Sequence, residues 1–372
     1  MRSQLTASTE ADFPVLRPAV SADHPPRITA LSLHGFRNYR EPFAAAFEQR
    51  ITAIVGLNGR GKTNLIEAIY LLCRLRGFRD ESPGRLRTWD TPSGVVAGVF
   101  SDFDREVVIG SNGLALKQDG DRVQDRRSWV RQTPIFGYRP DDDLFFHVEP
   151  EQRRRYLDWL AAMCFADYIP TAAAYRRALQ QRNAALRQRL SRVEREVWDA
   201  QLVEAGYRIH CARKAAAAHL GPVYAQLWEA LERPPAEVVY RSNLPETAEA
   251  YADALREAET ADLERGWTSI GVHRDDLVVY REGRPVRQSA SQGYRKLTII
   301  LLSLACALCL PGAMFYIDDL EGELDDENES RLFSLLLGSR TRHLQMFFSA
   351  VRTPDVLSRH DAGPDINWIR LA

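Results

Sequence analysis

The eight residues Gly56-Leu57-Asn58-Gly59-Arg60-Gly61-Lys62-Thr63 restrict the folds open to this chain more than any other segment. They form a complete G-x-x-x-x-G-K-T. Ahead of them, Arg50–Gly56 is a short apolar run that predicts a strand. Behind them, Leu65, Ile69 and Leu72 recur at helical spacing through Thr63–Leu75. Strand, glycine-rich turn and helix in that order gather backbone N–H groups and a helix N-terminus around one point, which suits a polyphosphate. Lys62 brings a point charge for β- and γ-phosphates, and Thr63 brings a hydroxyl for Mg²⁺. Gly56 through Thr63, with Asn64 behind them, are therefore candidate ATP-binding residues, and ATP and Mg²⁺ are the expected cofactors. A glycine-rich turn with a surface lysine is the bland alternative, and the flanking elements count against it.

Phosphoryl transfer also needs a metal-side carboxylate and a group that orients water. Met314-Phe315-Tyr316-Ile317-Asp318-Asp319 ends a buried strand in two acids, at the end of a strand where α/β sheets place their sites. Asp318 is assigned to the Mg²⁺ shell, through water, and Asp319 to the general base or water-positioning role; an acidic turn is the plainer reading. Upstream, Ser289-Ala290-Ser291-Gln292-Gly293-Tyr294-Arg295-Lys296 opens an apolar helix. Ser291, Gln292 and Gly293 can form either a second anion site or a plain helix cap.

Composition narrows the class. With 372 residues, 45% hydrophobic and 27% charged, the chain has material for two or three ordinary globular domains and is not disordered overall. Lys+Arg of 49 against Asp+Glu of 50 leaves no basic excess, so nucleic-acid binding would require a local patch or a gated groove. Only four of the basic residues are lysines (Lys62, Lys117, Lys214 and Lys296), and two of them fall in the motifs above. The five cysteines are odd in number and scattered, which argues against a disulfide framework and fits a reducing, cytoplasmic setting. Cys306 and Cys309 have C-x-x-C spacing but lie in the apolar run Leu297–Leu310 and lack a second ligand pair, so a buried core helix is expected there. That run falls short of the ~20 residues of a membrane span, and no membrane contact is expected. Met1–Pro26 lacks an apolar core and reads as a flexible leader.

Alternation marks a strand at Ile28–His34, and antiparallel β-structure is expected across Gly94–Gly110 and Leu114–Val123. Gln152 to about Leu263 reads as largely helical, interrupted at Pro170, Gly221-Pro222 and Pro234-Pro235. Strands return at Asp276–Tyr280, at Met314–Ile317 and, after a helix around Asn328–Leu337, at Leu344–Ala350. Because the flanks of the helical middle carry complementary pieces of one site, that middle reads as an insertion. The expected division is a leader at 1–26, the N-terminal part of an α/β lobe at 27–150, a helical lobe at 151–265 and the C-terminal part of the first lobe at 266–372. Between Ala173 and Trp198, seven arginines face only Glu194 and Glu196. They form either a solvated helix face or a phosphate-contacting stripe, with Arg182, Arg187 and Arg189 as candidate DNA contacts.

The order of these motifs resembles an ABC-type ATPase head. In that class the signature serine faces the γ-phosphate held by the opposite protomer, so ATP joins two subunits and hydrolysis releases them. Glu323-Leu324-Asp325 matches the position of its D-loop, with Asp325 as candidate. More specifically, the chain is similar to the RecF family from about Ile28 to its C-terminus. Phe36-Arg37-Asn38-Tyr39 matches the family's FRNY element, which adds Arg37 and Asn38 to the ATP-binding candidates. GLNGRGKTNLIEAIYLL (56–72), QRRRYLD (152–158), QRNAAL (181–186), HRDDL (273–277) and IDDLEGELDD (317–326) follow in the family's order.

The resemblance implies an α/β phosphate-loop ATPase head of two lobes, a mixed sheet with helices and an inserted, mainly helical lobe without long coiled-coil arms. It implies ATP-dependent homodimers that bind gapped or single/double-strand junction DNA, act with RecO and RecR to promote RecA loading, and hydrolyse ATP slowly in a cytoplasmic, nucleoid-associated setting. Three departures bear on turnover. Tyr294 stands where ABC signatures carry Gln, Pro134–Asp143 has no Q-loop glutamine, and Phe348-Ser349-Ala350 has no switch histidine. Val272 also replaces the family's proline. These favour slow hydrolysis; the alternatives are an ATP-switched clamp or scaffold with negligible turnover and a transporter-type subunit, the last disfavoured by the QRNAAL and HRDDL segments. The near-zero net charge suits gating, in which ATP brings two arginine-bearing lobes together on DNA.

Overall fold

The computed structural model describes residues 25–79, 82–142, 150–320, 324–352 and 366–371. Strands β1 (Ile28–His34), β2 (Phe43–Ala46) and β3 (Ile51–Gly56) precede helix α1 (Lys62–Arg74). Next come β4 (Gly94–Phe100), β5 (Asp104–Ile109), β6 (Leu114–Gln118), β7 (Asp121–Arg122), α2 (Arg126–Gln132) and β8 (Ile135–Tyr138). The middle holds α3 (Pro150–Cys164), α4 (Tyr168–Arg187), α5 (Arg192–Ala230), β9 (Ala236–Arg241), α6 (Ala248–Glu257) and α7 (Glu259–Arg265). The last third holds β10 (Asp276–Arg281), β11 (Arg284–Pro285), α8 (Val286–Ser289), α9 (Gln292–Leu308), β12 (Met314–Ile317), α10 (Asp326–Leu337), β13 (Gln345–Ala350) and β14 (Ile366–Leu371).

A parallel sheet in the order β14-β3-β13-β12-β8 is assembled from both halves of the chain. Every residue of β8, β12 and β13 is buried, as expected of strands covered on both faces, and their sequences are accordingly almost unbroken apolar runs. A second, antiparallel sheet runs β2-β1-β4-β5-β6-β7, and its alternating burial matches the alternation in sequence. Helix α1 touches β4 and β5 of this sheet and β3, β8 and β13 of the other. Ten of its 13 residues are buried, so a helix without a polar face is stable there. Helix α9 covers β8 and β12 with a similarly apolar body, each buried Leu or Ile stabilising by about 1.5–3 kcal/mol. Cys306 is buried inside α9 and Cys309 caps it. Burial pushes both thiols up, Cys309 to about 12, which keeps them protonated.

The helical middle differs from the sequence expectation in three ways. First, Ala173–Trp198 is not one helix. α4 ends at Arg187, Arg189 turns through φ 53, and Ser191 starts α5 with a reciprocal capping box to Glu194. α4 and α5 then pack against each other as a hairpin. Second, Pro170 lies in the first turn of α4, where its missing N–H would have no helical acceptor, and Pro222 lies inside an unbroken α5. Around Pro222 the buried Leu220, Tyr224, Leu227 and Trp228 hold the helix in place. Third, β9 interrupts the helices and pairs with β10, so the expected boundary at residue 265 runs through a three-stranded sheet, β11-β10-β9. The chain also carries strands beyond those expected: β2, β8, β11 and, after Ala350, β14, which pairs along the full length of β3. The leader falls mainly outside the described residues, as does Glu323 of the D-loop match. Among the described residues no helix is long and apolar enough to cross a membrane.

Candidate functional site

The phosphate loop connects β3 to α1, beside β13 and one strand from β12. Gly61 takes φ 100, and a Cβ there would lie 2.8 Å from Asn38 Nδ2 and 3.0 Å from the Tyr39 hydroxyl, so glycine is required. No side chain caps α1, which leaves its first-turn N–H groups facing the loop. Lys62 is buried and its ammonium donates to the carbonyls of Gly56 at 2.6 Å and Leu57 at 3.2 Å, holding the charge over the loop. Leu57, Asn58, Gly59, Arg60 and Thr63 are exposed on its open side.

The FRNY element braces the loop from the neighbouring sheet. Asn38 Oδ1 accepts from Asn64 Nδ2 at 2.7 Å, and the Tyr39 hydroxyl donates to the Gly61 carbonyl at 3.1 Å. Arg37 is engaged on helix α1 in this structure. Its guanidinium forms a two-pronged pair with the buried Glu67 of α1, both bonds at 2.7 Å, and Glu67 also accepts the Phe78 N–H. Such a pair fixes the orientation of α1, so Arg37 acts on the loop through that helix.

Across the sheet, Thr63 Oγ1 donates to Asp318 Oδ1 at 3.0 Å, uniting residues that lie 255 positions apart. Ser349 at the end of β13 donates to the same carboxylate oxygen at 2.6 Å and accepts the Asp319 N–H at 2.9 Å. In sequence Ser349 stands out only as the place of a missing histidine, whereas the structure makes it the tie between the two acids. Its one local signal is a lone hydroxyl closing an apolar strand. Burial raises the Asp318 carboxyl pKa against the lowering hydrogen bonds from Ser349 and Thr63. Asp319 sits at φ 55 with an exposed side chain, and its backbone is held by Ser349 and by Lys296, whose ammonium donates to its carbonyl at 3.2 Å. A non-glycine residue in this left-handed conformation is strained, and the two bonds hold its backbone there.

Among the described residues no three His, Cys, Asp or Glu converge as a metal cage. One hydroxyl and one carboxylate beside a phosphate loop instead fit Mg²⁺, which takes few protein ligands and fills its shell with phosphate and water oxygens.

The signature residues occupy a separate groove. Ser291 caps α9, accepting the Tyr294 N–H at 3.4 Å, and Asp325 caps α10, accepting the Asn328 N–H at 2.7 Å. Both caps, with Gln292, Gly293, Arg233 and Arg281, line one hollow of 650 Å³. Tyr294 packs rather than reaching outward. Its ring stacks on the buried Trp228 at 4.9 Å, Arg281 lies over it at 4.4 Å, and burial pushes its phenol up to about 12.

The arginine stripe divides. Arg187 and Arg189 are exposed, as a DNA contact requires. Arg182 is not a surface residue: it is 1% exposed and binds Asp262 at 2.8 Å, Asp199 at 2.6 Å and Thr268 Oγ1 at 2.7 Å. A phosphate cannot reach it. Arg195 is likewise buried and paired with Glu259. The QRRRYLD and HRDDL segments meet as ion-pair partners. Arg153 grips Asp276 at 2.7 and 2.9 Å, while Arg213 of α5 joins Asp158 and the fully buried Asp275, both at 2.7 Å.

The RecF/RecN/SMC N terminal domain family matches residues 27–362. The DNA replication and repair protein RecF of Geobacter sulfurreducens is 33% identical over 359 residues, which is 91% of this chain and 95% of that one. RecF of Myxococcus xanthus is 31% identical over 92% of this chain and 95% of its own length. In fold, the recombination mediator protein RecF-ATP in the RecFOR pathway superposes with a TM-score of 0.76 at 24% identity, covering 89% of this chain and 93% of that one. The Smc head domain from Pyrococcus furiosus gives 0.54 at 17%, with 90% of this chain and 91% of that one covered. With an ABC-type head, its phosphate loop, paired acids and signature cap in place, the chain belongs to the RecF family.

Proposed function

We propose that this chain is an ATP-dependent DNA-binding protein of replication and recombinational repair. The observation that carries the reading is the Thr63–Asp318–Ser349–Asp319 chain, which joins the phosphate loop to two acids at the mouth of a parallel sheet. Lys62 and the α1 N-terminus bind the phosphates of ATP, and Thr63 and Asp318 hold Mg²⁺, which neutralises charge on the phosphate oxygens. Asp319 orients water or accepts its proton. The caps at Ser291 and Asp325 share one groove, a geometry that suits a second copy of the chain carrying ATP, so the nucleotide acts as a joint between two protomers. Hydrolysis is slow, because Tyr294 is committed to Trp228 and Ser349 is committed to Asp318.

The similarity to RecF proteins supports gapped or single/double-strand junction DNA as the partner, RecO and RecR as co-mediators, RecA loading as the outcome, and a cytoplasmic, nucleoid-associated location. The same commitments of Tyr294 and Ser349 favour a second reading, an ATP-switched clamp with negligible turnover. Asp319→Asn separates the two: it abolishes function in the first and only prolongs the dimer in the second. Sedimentation with and without ATP and gapped DNA tests the whole. ATP should shift the parent to a dimer retained on DNA, and Lys62→Arg should abolish the shift. A Lys62→Arg protein that still loaded in response to ATP would overturn the mechanism.

A further inference from the structure

Helix α1 begins at the phosphate loop and ends at Arg74, and around that far end lies a recessed trough. Two hollows of 400 and 540 Å³ share Arg74, Arg76, Arg155 and Trp159 in their walls. The first is bounded by the end of α1, the exit of β8 and α3. The second continues along α3 and α4 to His273. Among the described residues, eight arginines and four carboxylates line them. Two of those carboxylates are engaged, Asp142 by Arg139 at 2.9 Å and Asp158 by Arg213 at 2.7 Å. The other guanidiniums in the walls are those of Arg74, Arg76, Arg79, Arg154, Arg155 and Arg176, of which Arg154 donates to the Asp275 carbonyl at 2.6 Å and Arg76 to the Tyr70 hydroxyl at 3.3 Å.

The floor is built around Arg74. Its guanidinium lies 3.2 Å over the ring of Trp159 and 5.4 Å over Tyr70, and among the described residues it pairs with no carboxylate. Burial pushes it down to about 10. Beneath it, burial acts to raise the Tyr70 phenol, yet the guanidiniums of Arg74, Arg76 and Arg139 carry it below its ordinary value. Such a field offers guanidinium forks for the phosphates of a strand, while the rings in the same walls are already covered, Trp159 by Arg74 and Phe78 by Tyr316 and Arg139.

We propose that this trough seats one single-stranded segment of nucleic acid. Its phosphates run from Arg79 past Arg76 and Arg155 to Arg154 and Arg176, over the Arg74–Trp159 floor. A duplex holds its phosphates on a rigid convex surface, whereas a single strand can follow a recessed floor. The site lies apart from the α4–α5 turn that carries Arg187 and Arg189. The inference rests on the DNA-binding reading above and assigns it a surface.

The test uses the full chain and fluorescence anisotropy of a labelled single-stranded oligonucleotide across a salt series. Arg79→Glu with Arg176→Glu changes two exposed side chains outside the ATP site. Affinity should fall at least about tenfold and the log–log salt slope should become shallower by about 1.4, at about 0.7 per lost contact on a single strand. ATP affinity, read with a fluorescent nucleotide, should stay unchanged. Arg74→Leu, which keeps an apolar contact on Trp159, should weaken the strand in the same assay. Parent-like affinity and slope in these variants, with the parent binding DNA, would overturn the trough alone. A parent that bound no DNA in any nucleotide state would remove the DNA reading as well. Displacement of the strand by inorganic phosphate at equal concentration would mean a small-anion site, and equal displacement by polyglutamate an acidic protein partner; either overturns the proposal.

Discussion

Arg182→Ala separates a structural arginine from a DNA contact, and the structure sets the size of its effect. The guanidinium and Asp262 are 2% and 0% exposed and lie 2.8 Å apart. Burial alone would lower the arginine pKa, but the hydrogen bonds to Asp262 and Asp199 outweigh it and hold the pKa above its ordinary value. Removing the cation strands Asp262 in the interior, which costs about 3–5 kcal/mol for a buried pair. The lower half of that range is expected, because the Ser269 N–H and hydroxyl still reach Asp262 at 3.0 and 2.6 Å. Asp199 is 30% exposed and recovers solvation, so it adds little. With a urea m-value of about 1–3 kcal/mol/M, the unfolding midpoint should fall by about 1 M or more. The double variant Arg182→Leu, Asp262→Leu should recover most of the loss, because it leaves no uncompensated charge. The salt slope of DNA binding should not move in the recovered double variant. A parent-like midpoint for Arg182→Ala, together with a shallower salt slope, would refute the structural assignment and return Arg182 to the surface.

Three further outcomes are expected. Since burial raises the Asp318 carboxyl, the folded chain keeps that proton to higher pH than the unfolded chain, and nucleotide-free stability falls as pH rises from the ordinary carboxylate range through the raised pKa. Asp318→Asn should remove that slope and melt higher at neutral pH while losing Mg²⁺-dependent ATP binding; a lower melting point in pH-scanned thermal denaturation would contradict the linkage. Tyr294→Gln should lose about 0.5–1.5 kcal/mol with its stack on Trp228, yet raise ATP turnover in a phosphate-release assay, and unchanged turnover would show that the signature does not limit the rate. Gly61→Ala should abolish nucleotide binding in a fluorescence titration, because the residue sits at φ 100 and its Cβ meets Asn38 at 2.8 Å.

Local chemistry is legible in the amino-acid sequence. The β3–loop–α1 unit, the buried β12 with its two acids, and the Ser291 cap of α9 are each written in a contiguous stretch whose periodicity and turn residues decide its geometry. Local signals mislead where packing overrides them. Pro222 does not break α5, because the buried side chains around it hold the helix. β9 is hidden in a helical stretch because its stability comes from pairing with β10. β14 carries little local signal because its largely half-buried residues gain their strand character only alongside β3.

Partner choice across long separations belongs to tertiary structure alone. Charge counting marks Arg182 and Arg187 alike, yet one meets Asp262, 80 residues away, and the other meets solvent. Ser349 becomes the tie between two acids only when β13 is laid beside β12, and Arg37 finds Glu67 of α1 only when the segment after β1 packs on that helix. The phosphate loop and its chemistry are therefore determined by the sequence itself, because a motif of eight neighbours encodes its own backbone. Which arginines are buried struts and which line a trough is decided by the fold, because a charge acquires its role from the groups that packing brings to it.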